Sequence, residues 1–170
     1  MSNVFRAGQP PLDPKLVEVL GDGSDSMADV EMRAARLFPG DTPVVWECDA
    51  VSFKFDYVSK RAEELLGFRS ADWLEPMFWA MQVVHEQDRD DAVNYCSLAT
   101  KKMRDHMFEY RAVSADGRTL WFADYVKVVR GPDGKPERLR GAMFDITAEK
   151  MGTRAAEPAR RAPAPAELAL

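Results

Sequence analysis

The stretch HMFEYRAVSADGRTLWFADYVKVVRGPDGKPERLRGAMFDIT, residues 106–147, reads as three strands joined by two hairpins. Its turns fall at "ADG", residues 115–117, and "GPDG", residues 131–134. Asp-Gly pairs supply the backbone freedom that closes antiparallel strands. Between the turns, alternation assigns faces. On the first of these strands Phe108, Tyr110 and Ala112 stand together, opposite Met107, Glu109 and Arg111. On the second, Phe122, Asp124 and Val126 oppose Trp121, Ala123 and Tyr125, and on the third Leu139, Gly141 and Met143 oppose Arg138, Arg140 and Ala142. A slip of one residue would reverse any of these faces.

Working upstream, "PVVWECDA" (43–50) sets Val44, Trp46 and Cys48 against Val45, Glu47 and Asp49. "FKFDYVS" (53–59) puts Phe53, Phe55 and Tyr57 on one face. Helices lie between the two sets of strands. "SKRAEELLGF" (59–68) has Ser59 as its cap and Gly67 as its stop. Short helical pieces follow at "SADWLEP" (70–76) and "PMFWAMQVV" (76–84). A longer helix at "EQDRDDAVNYCSLATKKM" (86–103) aligns Val93, Cys96, Thr100 and Met103. Two strands, several helices and three hairpin-linked strands make an α+β domain: a five-stranded antiparallel sheet with helices on one face.

Ahead of the sheet, residues 26–40 read as an amphipathic helix whose stripe is Met27, Val30, Ala34 and Leu37. That stripe is to be covered by the domain's own sheet or by a partner chain. Residues 1–25 hold three prolines and "GDGSDS", and read as a flexible segment with one short helix at "DPKLVEVLG". Residues 151–170, rich in Ala, Pro and Arg without apolar periodicity, read as a disordered tail.

The chain has 170 residues, room for one ordinary domain, and its 46% hydrophobic content closes a core. Lys and Arg number 23 against 28 Asp and Glu, a net charge of -5, which argues against nucleic acid as a partner. No apolar run reaches the length of a membrane span and no apolar signal region opens the chain. Cys48 and Cys96 make neither a disulfide framework nor a metal spacing. The expectation is a cytoplasmic protein with reduced thiols and no metal.

"YVSKRAEELLGF", "VVHEQDRDDA", "FEYRAVSADGRTLWF" and "VVRGPDGKPERLRGAMFDITAEK", in this order and spacing, resemble the successive signatures of a PAS domain of the PAC-containing subclass, over residues 43–150. The resemblance implies a sensor or interaction module, not an enzyme. It implies a pocket that holds haem, flavin, a small organic acid or nothing, dimerisation through a helix before the first strand, and a signal leaving through Asp145, Ile146 and Thr147. Met27, Val30, Ala34 and Leu37 are then the dimer contact of a homodimer. No nucleophile with a base and an orienting group appears in the sequence.

The expected pocket is lined by Trp46, Cys48, Cys96, Phe108, Tyr110, Ala112, Phe122, Asp124, Val126, Leu139, Gly141 and Met143. Haem is disfavoured, because relatives that bind it use a histidine on the long helix and this one has none. His85 reads as structural and His106 as exposed at the mouth of a strand. Tyr95 and Cys96 have iron-ligating chemistry, but a buried Cys is ordinarily a small hydrophobe. Photosensory flavin is disfavoured too. The Asn-Cys-Arg-Phe-Leu-Gln motif is absent, and Ala112, Phe122 and Met143 replace the amides that hold the ring edge. A redox flavin held otherwise stays open.

Asp124 stands out, since a carboxylate among Phe122, Val126 and Tyr110 is costly to desolvate. It is to be protonated, hydrogen-bonded by Tyr110 or Trp46, bound to a ligand, turned out to solvent by a bulge, or paired in a salt bridge at the sheet's end. Glu109, Arg111 and Asp145 are expected to pair across strands. The proline-rich tail favours a stand-alone chain that signals to a partner in trans, the alternative being the sensory part of a larger kinase or cyclase. The first functional reading is therefore a sensor of a small ligand or a dimerising module. The others are an interaction domain with a filled core, and a flavin- or haem-dependent redox protein.

Overall fold

The computed structural model describes residues 13–152. Five antiparallel strands, β1 (Val44–Asp49), β2 (Phe55–Val58), β3 (His106–Val113), β4 (Thr119–Arg130) and β5 (Pro136–Asp145), form one sheet in the order β2-β1-β5-β4-β3. The hairpin pairs expected from the Asp-Gly turns are both present: β3 faces β4 with Phe108 opposite Asp124, and β4 faces β5 with Asp124 opposite Met143. β1 closes on β5 with Trp46 opposite Gly141.

The burial of β3 alternates strictly, with His106, Phe108, Tyr110 and Ala112 inside. Strand β2 departs from the expected face. A bulge between Glu47 and Cys48 of β1 leaves both Phe55 and Asp56 beside Cys48. Phe55 and Val58 therefore enter the inner core while Tyr57 packs on the outer side.

Helices α3 (Arg61–Leu66) and α4 (Arg89–Lys101) cover the inner face together with short helical turns at Ser70–Leu74, Trp79–Val83 and Glu86–Asp88. Gly67 ends α3 in the left-handed conformation, as its position suggested. Ser59 is not the cap: its hydroxyl accepts the Val45 N–H at 3.0 Å and ties the helix entry to β1. Trp79–Val83 is a π-helical turn, and Met77 just before it sits at φ 64°, an uncommon place for a side-chain-bearing residue.

The outer face has its own core. Helix α1 (Pro14–Leu20) and helix α2 (Met27–Leu37) pack there against Val45, Ala142 and Phe144. Residues 14–20 thus form the short helix expected at "DPKLVEVLG". Asp13 caps α1 through the Lys15 N–H at 2.7 Å, and Leu16, Val19 and Leu20 are buried. Ser26 caps α2 through the Asp29 N–H. Met27, Val30 and Ala34 are buried by the chain's own sheet and α1, with Leu37 partly so. The stripe read as a dimer contact is therefore closed within a single chain, because β1 and β5 present apolar side chains to it. The disordered-tail reading, 151–170, falls outside the described residues except at its first two positions.

Among the described residues, no helix is long and apolar enough to cross a membrane.

Candidate functional site

Alternation on three strands brings one carboxylate into an aromatic interior. Asp124 is 2% exposed. Its Oδ1 accepts the Trp46 indole N–H from β1 at 3.0 Å, and its Oδ2 accepts the Tyr110 hydroxyl from β3 at 2.9 Å. The Tyr110 oxygen in turn accepts the Trp79 indole N–H at 3.0 Å, and the Met143 sulfur lies 3.2 Å from it. Every donor in this chain is neutral and every one points toward the carboxylate. Burial pushes Asp124 up to about 7 and, with the Asp124 charge beside it, holds the Tyr110 hydroxyl well above the ordinary phenol range.

A cavity lies against this group, lined by Trp46, Cys48, Phe53, Phe55, Trp79, Cys96, Phe108, Asp124, Val126 and Leu139. Its volume is about 10 Å³, the room of one water-sized particle. Of the twelve expected pocket residues, seven border this space. Tyr110, Phe122 and Met143 are buried just behind it, and Ala112 belongs to the same inner core. Gly141 serves differently. A Cβ there would fall 2.2 Å from the Trp46 ring, so glycine lets the indole lie on the β5 backbone and reach Asp124.

Phe53, Phe55 and Trp79 line the cavity in addition to the expected residues. Phe53 precedes β2 at φ 60°, and Trp79 is carried by a π-helical turn, whose period no helix or strand template matches.

His106 is not exposed but buried at 1%. Its Nδ1 lies 2.8 Å from the Arg104 carbonyl and its Nε2 3.3 Å from Cys96 Sγ. A carbonyl only accepts, so Nδ1 carries the proton and Nε2 receives the thiol S–H. No sequence pattern marks this pair, because the residues lie ten apart on α4 and β3. The pair is chemically quiet: burial lowers His106 and pushes the Cys96 thiol up to about 12, leaving no thiolate to attack. Cys48 is raised well above its ordinary value by burial too.

Haem and flavin do not fit this space. Both need far more than 10 Å³, and Ala112, Phe122 and Met143, in the core around the cavity, carry no donor for a flavin edge. Tyr95 packs its ring on His106 and Phe108. Among the described residues, no three His, Cys, Asp or Glu side chains form a metal-holding group.

The segment Asp145–Thr147, expected to be the signal exit, is fastened to β4. Ile146 N–H donates to the Trp121 carbonyl at 2.8 Å, and Trp121 N–H donates to Thr147 Oγ1 at 2.9 Å. Thr147 in turn donates to Asp145 through its hydroxyl and its N–H. The expected pairing among Glu109, Arg111 and Asp145 is not made. Arg111 instead holds the fully buried Asp88 at 2.6 Å, and Glu109 meets Lys150 at 2.6 Å. Arg111 and Glu109 each meet a partner beyond their own strand pair, which alternation alone does not locate. Burial works against the Asp88 anion, but the hydrogen bonds from Arg111 outweigh it and lower its pKa.

The family model described as "PAS fold" matches residues 55–143. The N-terminal domain of a diguanylate cyclase with PAS/PAC sensor from Marinobacter aquaeolei is similar at 34% identity and TM-score 0.60, covering 64% of this chain and 98% of that one. A domain of a putative light and redox sensing histidine kinase from Haloarcula marismortui has 19% identity and TM-score 0.57, over 69% of this chain and 100% of the other. A sensory box histidine kinase/response regulator from Burkholderia thailandensis has 18% identity and TM-score 0.59, over 76% and 94%. These last two likenesses show the fold alone. No curated protein sequence matches the chain.

Proposed function

The chain belongs to the PAS fold family, and from that premise we propose that it is a non-catalytic sensory module which reads a small ligand at Asp124. The observation that carries this is the buried carboxylate held only by neutral donors from β1, β3 and the Trp79 turn. A charge in an apolar interior is costly without an opposite charge. Whatever neutralises it changes the bonds to Trp46 and Tyr110, and so bears on β1 and β3 at once. Trp46 lies on Gly141 of β5, four residues before the Asp145–Thr147 exit, which supports a route from cavity to surface.

Homodimerisation and a signalling partner in trans belong to the same proposal. A second copy would use surface left open by the chain's own packing, such as the α2 side that carries Met32, 65% exposed. The free thiols of Cys48 and Cys96 support a reducing, cytoplasmic setting.

The test is native mass spectrometry of the purified chain with an absorbance scan, repeated on Asp124→Asn. A mass increment lost on denaturation and absent from the variant is expected, with a dimer peak. The small cavity favours a second reading, an interaction domain whose core is filled by its own side chains. That reading prevails if no increment appears and Asp124→Asn leaves hydrogen exchange at the exit and at α1 and α2 unchanged.

A further inference from the structure

We propose that the cavity beside Asp124 is a site for a small ammonium cation, either ammonium itself or the head of a short alkylamine; this rests on the sensory reading above and names its ligand class.

Three features of the site converge on that chemistry. The first is direction. The Trp79 indole donates to Tyr110, Tyr110 donates to Asp124, and the Trp46 indole donates to the other oxygen. This is the order of donors that favours an anion at the end of the chain. Each carboxylate oxygen has accepted one bond and keeps further lone-pair capacity. The second is charge. No Lys or Arg lines the cavity, and the titratable groups facing Asp124 from the other elements are Cys48 on β1, Cys96 on α4 and Tyr110 on β3. All three are kept protonated by burial, and His106 behind Cys96 is kept neutral. The anion therefore has no countercharge of its own. The third is shape. Five aromatic side chains border a space the size of one water molecule, and ring faces attract cations.

A water molecule fits the volume but leaves the charge. Potassium has the charge but needs a shell of oxygens, and here one carboxylate faces mostly carbon. Ammonium has the charge, the size and N–H groups for the free lone pairs, and its remaining faces suit aromatic rings. The space holds the ammonium head alone, so binding should weaken as an attached alkyl group lengthens. The proton is the natural competitor, because Asp124 titrates close to neutrality.

The experiment titrates the wild-type chain at pH 8 with ammonium chloride and with methylammonium chloride, against potassium chloride at equal ionic strength, following tryptophan fluorescence. A saturable change with either amine, absent with potassium, is expected. Its midpoint should rise about tenfold per pH unit below pH 7 as the proton competes. Asp124→Asn should raise it at least tenfold. As a readout independent of any variant, ¹⁵N-ammonium bound to the wild-type chain should give a proton-exchange-protected signal.

Equal responses to potassium and ammonium, or an unchanged midpoint in a folded Asp124→Asn chain, overturn the inference. So does the absence of both the fluorescence change and the protected signal. If the chain instead retains a neutral or anionic molecule that Asp124→Asn loses, the cation falls and the sensory reading stands. If no ligand is held and exchange at the exit ignores Asp124→Asn, the sensory reading falls as well.

Discussion

The two faces of this sheet each hold a buried charge at their centre, Arg140 outside and Asp124 inside, and they treat it in opposite ways. On the outer face Arg140, 1% exposed, donates to Glu47, to Asp25 and to the carbonyls of Leu20 and Asp25. On the inner face Asp124, equally buried, has only an indole and a phenol. A buried charge with opposite charges around it is locked, and here it locks the loop between α1 and α2 onto the sheet. A buried charge with neutral partners is poised, since one proton or one small cation changes its state. The two sites are sequence neighbours twice over: Trp46 beside Glu47 on β1, and Gly141 beside Arg140 on β5.

The locked side should break most severely. Arg140→Ala would leave Glu47 and Asp25 facing a void where their shared cation stood. Arg138 still reaches Glu47 at 2.7 Å, which tempers the loss. Removing one partner of a buried pair costs about 3–5 kcal/mol, and we expect about 3 kcal/mol in urea unfolding. Arg140→Met should recover part of it by filling the space without a charge.

The contact between the two sides comes next. Gly141→Ala would drive a methyl into the Trp46 ring and to 2.7 Å from the Tyr125 carbonyl. Overpacking of this kind costs about 1–3 kcal/mol. Because the ring must shift, the Trp46–Asp124 bond at 3.0 Å should lengthen. The expected result is lower thermal stability together with an altered tryptophan emission. A stability loss with unchanged emission would mean that the backbone moved and the indole stayed.

The poised side should show itself through pH. Asp124 is raised by burial from an ordinary 3.8 to about 7 in the folded chain. Between those values the folded state holds a proton that the unfolded chain has released. Its stabilising contribution is therefore complete below about pH 4 and is lost as pH rises through about 7. The slope is on the order of 1.4 kcal/mol per pH unit for one group. Asp124→Asn removes it, so the stability of the variant relative to wild type should climb from pH 5 to pH 7.5. Parallel curves across that range would show that Asp124 does not titrate there.

Much of this contrast was legible in the sequence, and the parts that were not share a cause. Period-two alternation put Phe108, Tyr110, Asp124 and Met143 on one face, and Asp-Gly turns set the register between them. Alternation says which way a side chain points from the sheet, but not what lies there. Arg140 and Glu47 were assigned to the outward face, and that face is covered by α1 and α2, whose packing is long-range. His106 looked exposed at a strand end because the covering residues, Cys96 and Tyr95, come from α4. Phe53 reads as part of a strand but stands before β2 at φ 60°, and Trp79 sits on a π-helical turn, so strand and helix periods do not bring either to the cavity wall. Tyr57 changed faces at a bulge, which inserts a residue without any mark in the alternation.

The smallest expected effect concerns how firmly the poised side is tied to the exit. Lys150 lies 4.8 Å from the centre of the Trp121 ring and pairs with Glu109, while Arg111 approaches the same ring at 5.9 Å. Lys150 is partly solvated, so the pair is worth at most about 1 kcal/mol, and Lys150→Met should move global stability by less than that. The backbone of the exit is held separately, by Ile146 on the Trp121 carbonyl and by Trp121 on Thr147. If those bonds are the fastening, amide exchange at Ile146 stays slow in Lys150→Met and quickens in Thr147→Val, which removes the hydroxyl. If the lysine is the fastening, the order reverses. The first outcome ties the exit to β4, the strand that carries Asp124 three residues beyond Trp121. The second ties it to the Lys150–Glu109 pair, where a change at the cavity would have little hold on it.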